Sequence, residues 1–125
     1  MGLTRTVDRG LTTYFTGLPS VSRDDPAIGD NVYWRGRIWP ILNWLVWNGL
    51  ERAGEFEAAD RLAEKGWRHF TQSWRERRLC PENYHPDSGE GLDQPDTDPF
   101  YSWSALLPFV KHAKDRQLSL WRKKP

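Results

Sequence analysis

The chain has 125 residues, 38% of them hydrophobic and 28% charged, with a formal net charge of +1. That allows one domain at most, with a modest core, and marks a globular rather than a disordered chain. The near-neutral charge gives no global field for nucleic acid or a membrane surface, and no apolar run approaches the ~20 residues of a membrane span.

The single cysteine, Cys80, cannot form an internal disulfide. The N-terminus lacks the apolar core of a secretory leader, so a cytoplasmic setting is expected. Met1, Gly2 and Thr6 match the short myristoylation pattern, which nothing else in the sequence supports. Eight tryptophans are present. Such rings fill cores, but they also suit a sugar or aromatic-ligand site where one edge stays wet.

Residues 1 to 17 are weakly patterned. Val7, Leu11, Tyr14 and Phe15 can line one helical face, which Thr and Gly interrupt, so a short helix or irregular lead-in is expected. Residues 18 to 32 read as loop, with Pro19, Asp24, Asp25, Pro26, Gly29, Asp30 and Asn31 as turn and breaker residues. Asp25 precedes a proline and is pushed toward an extended backbone. Tyr33, Trp34, Arg35, Gly36, Arg37, Ile38, Trp39 and Pro40 follow. Aromatic faces beside a guanidinium make a good wall for a polar ring ligand.

From Ile38 to about Ala53 almost no polar face remains, which predicts a helix buried nearly all round. Pro40 suits its first turn and Gly54 its end. Asn43 and Asn48, if buried, need partners, and structural bonding to adjacent loops is the expectation. A second helix is predicted from about Glu55 to Arg78. Phe56, Ala59, Ala63, Trp67, Phe70 and Trp74 would form its apolar stripe. The short turn between the two implies an antiparallel hairpin. His69 reads as a packing or solvated residue, and the basic end from Arg68 to Arg78 as a solvated face suited to the helix dipole.

Residues 80 to 98 carry six acidic residues and no Lys or Arg. Pro and Gly make this stretch a loop. Oxygen ligands are plentiful, but their spacing is not that of a calcium-binding EF-hand, so neither metal nor cofactor is expected. A third helix is predicted with Asp98 as N-cap and Pro99 as first residue, with Pro108 in its interior as a kink. The basic tail from Lys111 onward is expected to be a frayed, solvated terminus.

The hairpin carries the chain out and back, so it can return the acidic loop to the end where Tyr33 to Trp39 sit. Trp34, Trp39 and Trp103 offer flat faces for sugar C–H surfaces. Arg35 and Asp24 offer charged hydrogen bonds. Glycoside hydrolysis needs two carboxylates across the scissile bond. The residues by themselves leave Glu82, Glu90, Asp87 and Asp93 as alternatives, with Glu82 in the more structured setting beside Tyr84 and His85.

The run YWRGRIWPILNW resembles the Tyr-Trp-Arg-Gly-x-x-Trp signature of glycoside hydrolase family 63 and its relatives, which include the mannosylglycerate hydrolase group and, more distantly, the trehalases. PENYHPDSGEG resembles that family's Glu-x-Tyr-x-Pro-x-x-Gly-x-Gly loop, FYSWSALL the segment after it, and LPSVSRDDP the loop before the Trp-Arg-Gly motif. The four stand in family order from about Leu18 to Val110.

The resemblance implies an (α/α)6 barrel and inverting hydrolysis of an α-linked sugar. Glu82 matches the general base. Tyr33, Trp34 and Trp39 match the sugar subsite, Arg35 and Asp24 match polar positions near it, and Tyr84, His85 and Trp103 are further substrate-binding candidates. Arg37 stands where many relatives have proline. The family's general acid is an upstream aspartate that nothing here matches, and Asp8 is too close to the motif.

A twelve-helix barrel needs roughly 200 residues. The fold expected is therefore all-α, a partial (α/α)6 barrel: a helical hairpin, one or two further helices and long loops. Residues 1–125 read as the C-terminal portion of a catalytic domain, with motifs over 18–110 and a basic tail over 111–125. The expected partners are an α-linked glucoside or mannoside and the N-terminal part of the barrel or another copy of the chain, with no nucleic acid and no membrane. A partial barrel should also expose a large apolar patch. One rival is a non-catalytic carbohydrate-binding or interaction remnant. Another is a nucleic-acid binder using the basic tail, against which the acidic loop argues.

Overall fold

Trp39 ends an extended segment (φ −111°, ψ 122°), and Pro40 opens helix α1, Pro40–Ala53, where its missing N–H leaves no bond unmade. This computed structural model describes residues 17–123, so the expected lead-in around Val7 to Phe15, Asp8 and the Met1–Thr6 pattern lie outside the described residues. Gly54, at φ 79°, stops α1 by returning its N–H to the carbonyls of Leu50 and Glu51. Glu55 then leads into α2, Phe56–Arg77, and the two helices form the expected hairpin. The last helix is α3, Leu106–Asp115. Two 3-10 turns, Pro26–Asp30 and Ser102–Ala105, flank the loops. The described chain is all-α, with only isolated backbone bridges outside its helices. No helix among the described residues is long and apolar enough to cross a membrane.

The buried face of α2 differs from the expected aromatic stripe. Ala58, Ala59, Leu62, Ala63, Gly66 and His69 face inward, while Trp67 and Trp74 are 36% and 41% exposed. Small residues win because α3 lies close: a Cβ on Gly66 would stand 3.1 Å from Leu107 Cδ2. Trp47 and Leu50 of α1 and Val110 and Ala113 of α3 complete this core. Helix α1 is likewise not buried all round. Leu45 is 51% exposed, and Ile41, Leu42, Trp44 and Val46 are half-buried, because α2 and α3 cover one side of it. Asn43 is buried and takes the structural role. It donates to the carbonyls of Leu18 (2.9 Å) and Trp39 (3.1 Å) and accepts from Leu18 N–H (3.0 Å). Asn48 is exposed.

Helix α3 begins later than Asp98. Asp98 accepts from Phe100 N–H at 2.8 Å, and the backbone beside it pairs with the acidic loop instead of starting a helix. Cys80 N–H reaches Pro99 O (3.0 Å), Glu82 N–H reaches Asp98 O (2.9 Å) and Tyr101 N–H reaches Cys80 O (3.1 Å). Pro108 therefore falls in the first turn of α3, where a proline is tolerated, and not in its interior.

The basic tail is not free either. Lys111 and Lys114 sit within α3 and pair with Glu64 of α2. Beyond the helix, Arg122 folds back on the hairpin. Its Nε lies 2.9 and 3.0 Å from the Glu51 carboxylate, its NH2 group 2.6 Å from Asp60, and its guanidinium 4.8 Å from the Phe56 ring centre. Glu51 is 1% exposed, and a carboxylate so buried needs this cation.

His69 is 2% exposed, and neither ring nitrogen has a hydrogen-bond partner among the described residues. Its ring meets Tyr84 edge-on at 4.0 Å. Burial holds its pKa down, from 6.5 to about 3.

Two outcomes are expected in solution. Arg122→Ala leaves Glu51 buried without its cation and should lower stability by ~2–3 kcal/mol in urea unfolding, with Arg122→Lys recovering part of the loss. For His69 the folded pKa lies below the unfolded one, so the unfolded chain binds the extra proton between about pH 6.5 and 3. Stability should be full above that window and fall as pH drops through it, by up to ~1.4 kcal/mol per pH unit. A His69→Phe variant should flatten this slope.

Candidate functional site

The aromatic segment and the acidic loop meet through backbone and side chain together. Ile38 and Tyr84 exchange two hydrogen bonds of 2.9 Å, and Ser20 N–H reaches Arg37 O at 2.8 Å. Arg37, fully buried, forks onto Asp93 at 2.6 and 2.7 Å, donates from Nε to Asn83 Oδ1 at 2.7 Å and reaches Asn31 Oδ1 at 3.2 Å. Burial pushes the Asp93 carboxyl upward and the Arg37 guanidinium outweighs it, leaving the group below the ordinary carboxylate value.

The ring cluster is built on a tight turn. Val32 and Arg35 exchange backbone bonds of 2.7 and 3.2 Å, which puts Tyr33 at φ 45°, rare for an aromatic residue. Trp39 holds that conformation: its indole N–H donates to Tyr33 O at 2.9 Å, and its ring meets the Tyr33 edge at 4.9 Å. Gly36 closes the turn at φ 108°, where a Cβ would stand 2.9 Å from Ile28 O. Trp34 stacks flat on Trp39 (3.7 Å, 14°), and Trp103 meets Trp39 edge-on at 5.9 Å. Trp39 is sealed, whereas Trp34 and Tyr33 are 42% and 49% exposed. The open surface of the cluster thus belongs to Trp34 and Tyr33, with Trp39 and Trp103 beneath and beside them.

Glu82 lies at the edge of this cluster. Its backbone is fixed from both sides, N–H to Asp98 O and C=O accepting from the Trp103 indole N–H at 3.0 Å. Ser104 anchors the same segment by donating to Cys80 O at 2.8 Å and to Pro81 O. The residue is 6% exposed, yet its carboxylate makes no hydrogen bond or ion pair among the described residues. The other carboxylates left open by sequence are engaged. Asp93 holds Arg37; Glu90 pairs with Arg77 at 3.0 Å and caps Gly91 and Leu92 N–H; Asp87 pairs with Arg23.

Four further candidates have other settings. Tyr84 is fully buried beside Ile38 and Leu107, and burial pushes its hydroxyl pKa up. His85 spends Nδ1 on accepting the Asp87 and Ser88 N–H groups, at 3.0 and 3.2 Å. Asp24 is exposed on the loop before the first 3-10 turn. Arg35 is exposed and donates to Asp30 at 2.6 Å. No group of three or more His, Cys, Asp or Glu side chains among the described residues converges on a metal position. Sequence reasoning named Arg37 and Asp93 but not their pairing, which spans 56 positions and leaves no local pattern.

A family model described as the mannosylglycerate hydrolase MGH1-like glycoside hydrolase domain matches residues 3–104. That span holds the ring cluster and Glu82 and stops before α3. The chain is 42% identical over 77 residues to mannosylglycerate hydrolase MGH1 of Selaginella moellendorffii, covering 62% of this chain and 16% of that protein. It is 33% identical over 105 residues to the mannosyl-oligosaccharide glucosidase of Saccharomyces cerevisiae, covering 73% and 12%. It is 33% identical over 94 residues to the mannosylglycerate hydrolase of Rubrobacter radiotolerans, covering 74% and 19%. The chain thus spans less than a fifth of each of these relatives. No solved structure matches it.

The two stacked indoles should separate by mutation. Trp39→Ala removes a sealed ring and should cost ~3–5 kcal/mol in chemical unfolding. Trp34→Ala removes a half-exposed ring and one stacking contact, and should cost about 1 kcal/mol.

Proposed function

The chain belongs to the mannosylglycerate hydrolase MGH1-like glycoside hydrolase family, and from that premise we propose that it carries the water-activating side of an inverting α-glycosidase site. It corresponds to the C-terminal portion of the catalytic domain. Trp34 and Tyr33 supply the stacking surface for a sugar ring, Trp39 backs that surface from beneath, Trp103 stands beside it, and Arg35 and Asp24 supply polar contacts at its rim. Tyr84 and His85 shape the loop that carries Glu82. The substrate class is an α-linked mannoside or glucoside, in keeping with relatives named for mannosylglycerate and for glucosidase action.

Glu82 is the general base. It takes a proton from a water that attacks the anomeric carbon from the face opposite the leaving oxygen. A second carboxyl group protonates that oxygen as the glycosidic bond breaks. No position in this chain matches the second group, so it comes from the N-terminal part of the domain or from another copy of the chain. The observation that carries this reading is Glu82 itself: the residue is 6% exposed, its backbone C=O is held by the Trp103 indole, and its carboxylate has no hydrogen-bond or ion-pair partner among the described residues.

One observation favours a second reading, a non-catalytic carbohydrate-binding remnant: of the four carboxylates left open by sequence, only Glu82 lacks a partner among the described residues, where hydrolysis uses two. Completing the site with the N-terminal portion of a related domain separates the two. Glu82→Gln should then lower turnover of an α-mannoside or α-glucoside by ~10²–10⁴-fold, while sugar binding, followed by tryptophan fluorescence, survives. Unchanged turnover removes Glu82 from the role and brings Glu90 forward. Binding without turnover in every assembly supports the second reading.

A further inference from the structure

Arg37 is the one fully buried cation of the described chain, and four of its hydrogen bonds reach three residues on the two long loops. Asn83, on its Nε, follows Glu82 directly. Asn31, on NH1, is the left-handed residue (φ 45°) that ends the first 3-10 turn, two positions before Tyr33. Asp93, on NH1 and NH2, anchors the far end of the acidic loop. Thr97 Oγ1 adds a long contact of 3.5 Å to Asn83 Oδ1. One planar guanidinium therefore ties the residue after the carboxylate to the approach to the ring turn.

We propose that Arg37 is a positioning residue that fixes the Glu82 carboxylate relative to the Trp34–Trp39 stack by holding Asn83, Asn31 and Asp93 in one rigid body. The proposal rests on the reading of Glu82 as general base and adds what orients it. The fork geometry matters because a lysine ammonium is a point charge on a flexible stem and cannot reproduce two parallel bonds to Asp93 together with one to Asn83. Local packing does not explain the arrangement alone. Ile38 and Tyr84 already join the two loops through their backbones, and a buried ion pair is weak as a stabiliser compared with apolar residues of similar size.

The test separates position from stability in Arg37→Lys, Asp93→Asn and the neutral double variant Arg37→Met/Asp93→Asn. Three quantities are read: the melting temperature; the rate at which a carbodiimide with glycine ethyl ester labels Glu82, by peptide mass spectrometry, relative to the 91% exposed carboxylate of Glu57; and quenching of tryptophan fluorescence by methyl α-mannoside and methyl α-glucoside. Asp93→Asn should melt well below the native chain, because Arg37 is left buried and unpaired. The double variant should regain most of that loss. Its Glu82 should nevertheless label about tenfold faster, and its affinity for the glycoside should fall about tenfold.

A double variant whose melting, Glu82 labelling and glycoside affinity all return to native values overturns the proposal and makes Arg37 a filler of the loop core. Should the double variant not fold, Arg37→Lys decides. It keeps the charge, so native-like labelling in it overturns the proposal, and faster labelling in a chain of native helicity supports it. A native chain that binds neither glycoside sinks the sugar-site reading, while the labelling rates still decide whether Arg37 positions Glu82.

Discussion

The bidentate bond between Arg37 and Asp93 is the constraint on which the arrangement of the two long loops depends. A guanidinium with no exposed surface has no water to replace a lost partner, so its donors dictate where Asp93, Asn83 and Asn31 stand. Long loops carry large freedom in isolation. Here the freedom is removed by one cation, two backbone bonds between Ile38 and Tyr84, and the indole of Trp103 on Glu82 O. Each contact falls within a few residues of Glu82 or of the ring turn. The arrangement of the two loops therefore comes from their own polar bonds, with the helices packed beneath them through His69, Phe70 and Leu107.

That platform is a three-helix layer held by small side chains. Ala58, Ala59, Ala63 and Gly66 let α2 lie close to α1 and α3, and their bulk is replaced by Trp47, Leu50, Leu107 and Val110 from the facing helices. The larger rings of α2 and Leu45 of α1 are left on the outside. The same pattern agrees with a chain that spans less than a fifth of its relatives. The tail closes the opposite end, where Arg122 bridges Glu51 of α1 and Asp60 of α2.

Local chemistry was legible in the sequence. Pro40 and Gly54 marked the ends of α1 through fixed φ and positive φ, and Asp25 before Pro26 read correctly as extended. The hairpin followed from the short turn, and the ring segment stood out by composition. Contacts between distant positions were not legible. The buried stripe of α2 was misread because aromatic residues dominate a hydrophobic count, while close helix approach selects alanine and glycine. Asp98 and Pro99 look like a helix start, but the carbonyls there are already bound by Cys80 and Glu82. Arg122 sits in a run of basic residues that reads as solvated, and only the folded hairpin reveals a buried Glu51 in need of a cation. For the candidate site, the motif put the rings and Glu82 forward as candidates. Which carboxylates were already occupied could not be read from it, since Asp93, Glu90 and Asp87 differ in their partners and not in their type.

The left-handed backbone at Tyr33 limits what can stand there independently of any ligand. Glycine and asparagine enter that conformation readily, and β-branched residues resist it. A library at this position would thus be filtered twice, once by the torsion and once by the ring. Loss of function in a valine or isoleucine member would report on chain geometry, and only tyrosine-to-phenylalanine or tyrosine-to-asparagine comparisons would isolate what the phenol itself contributes.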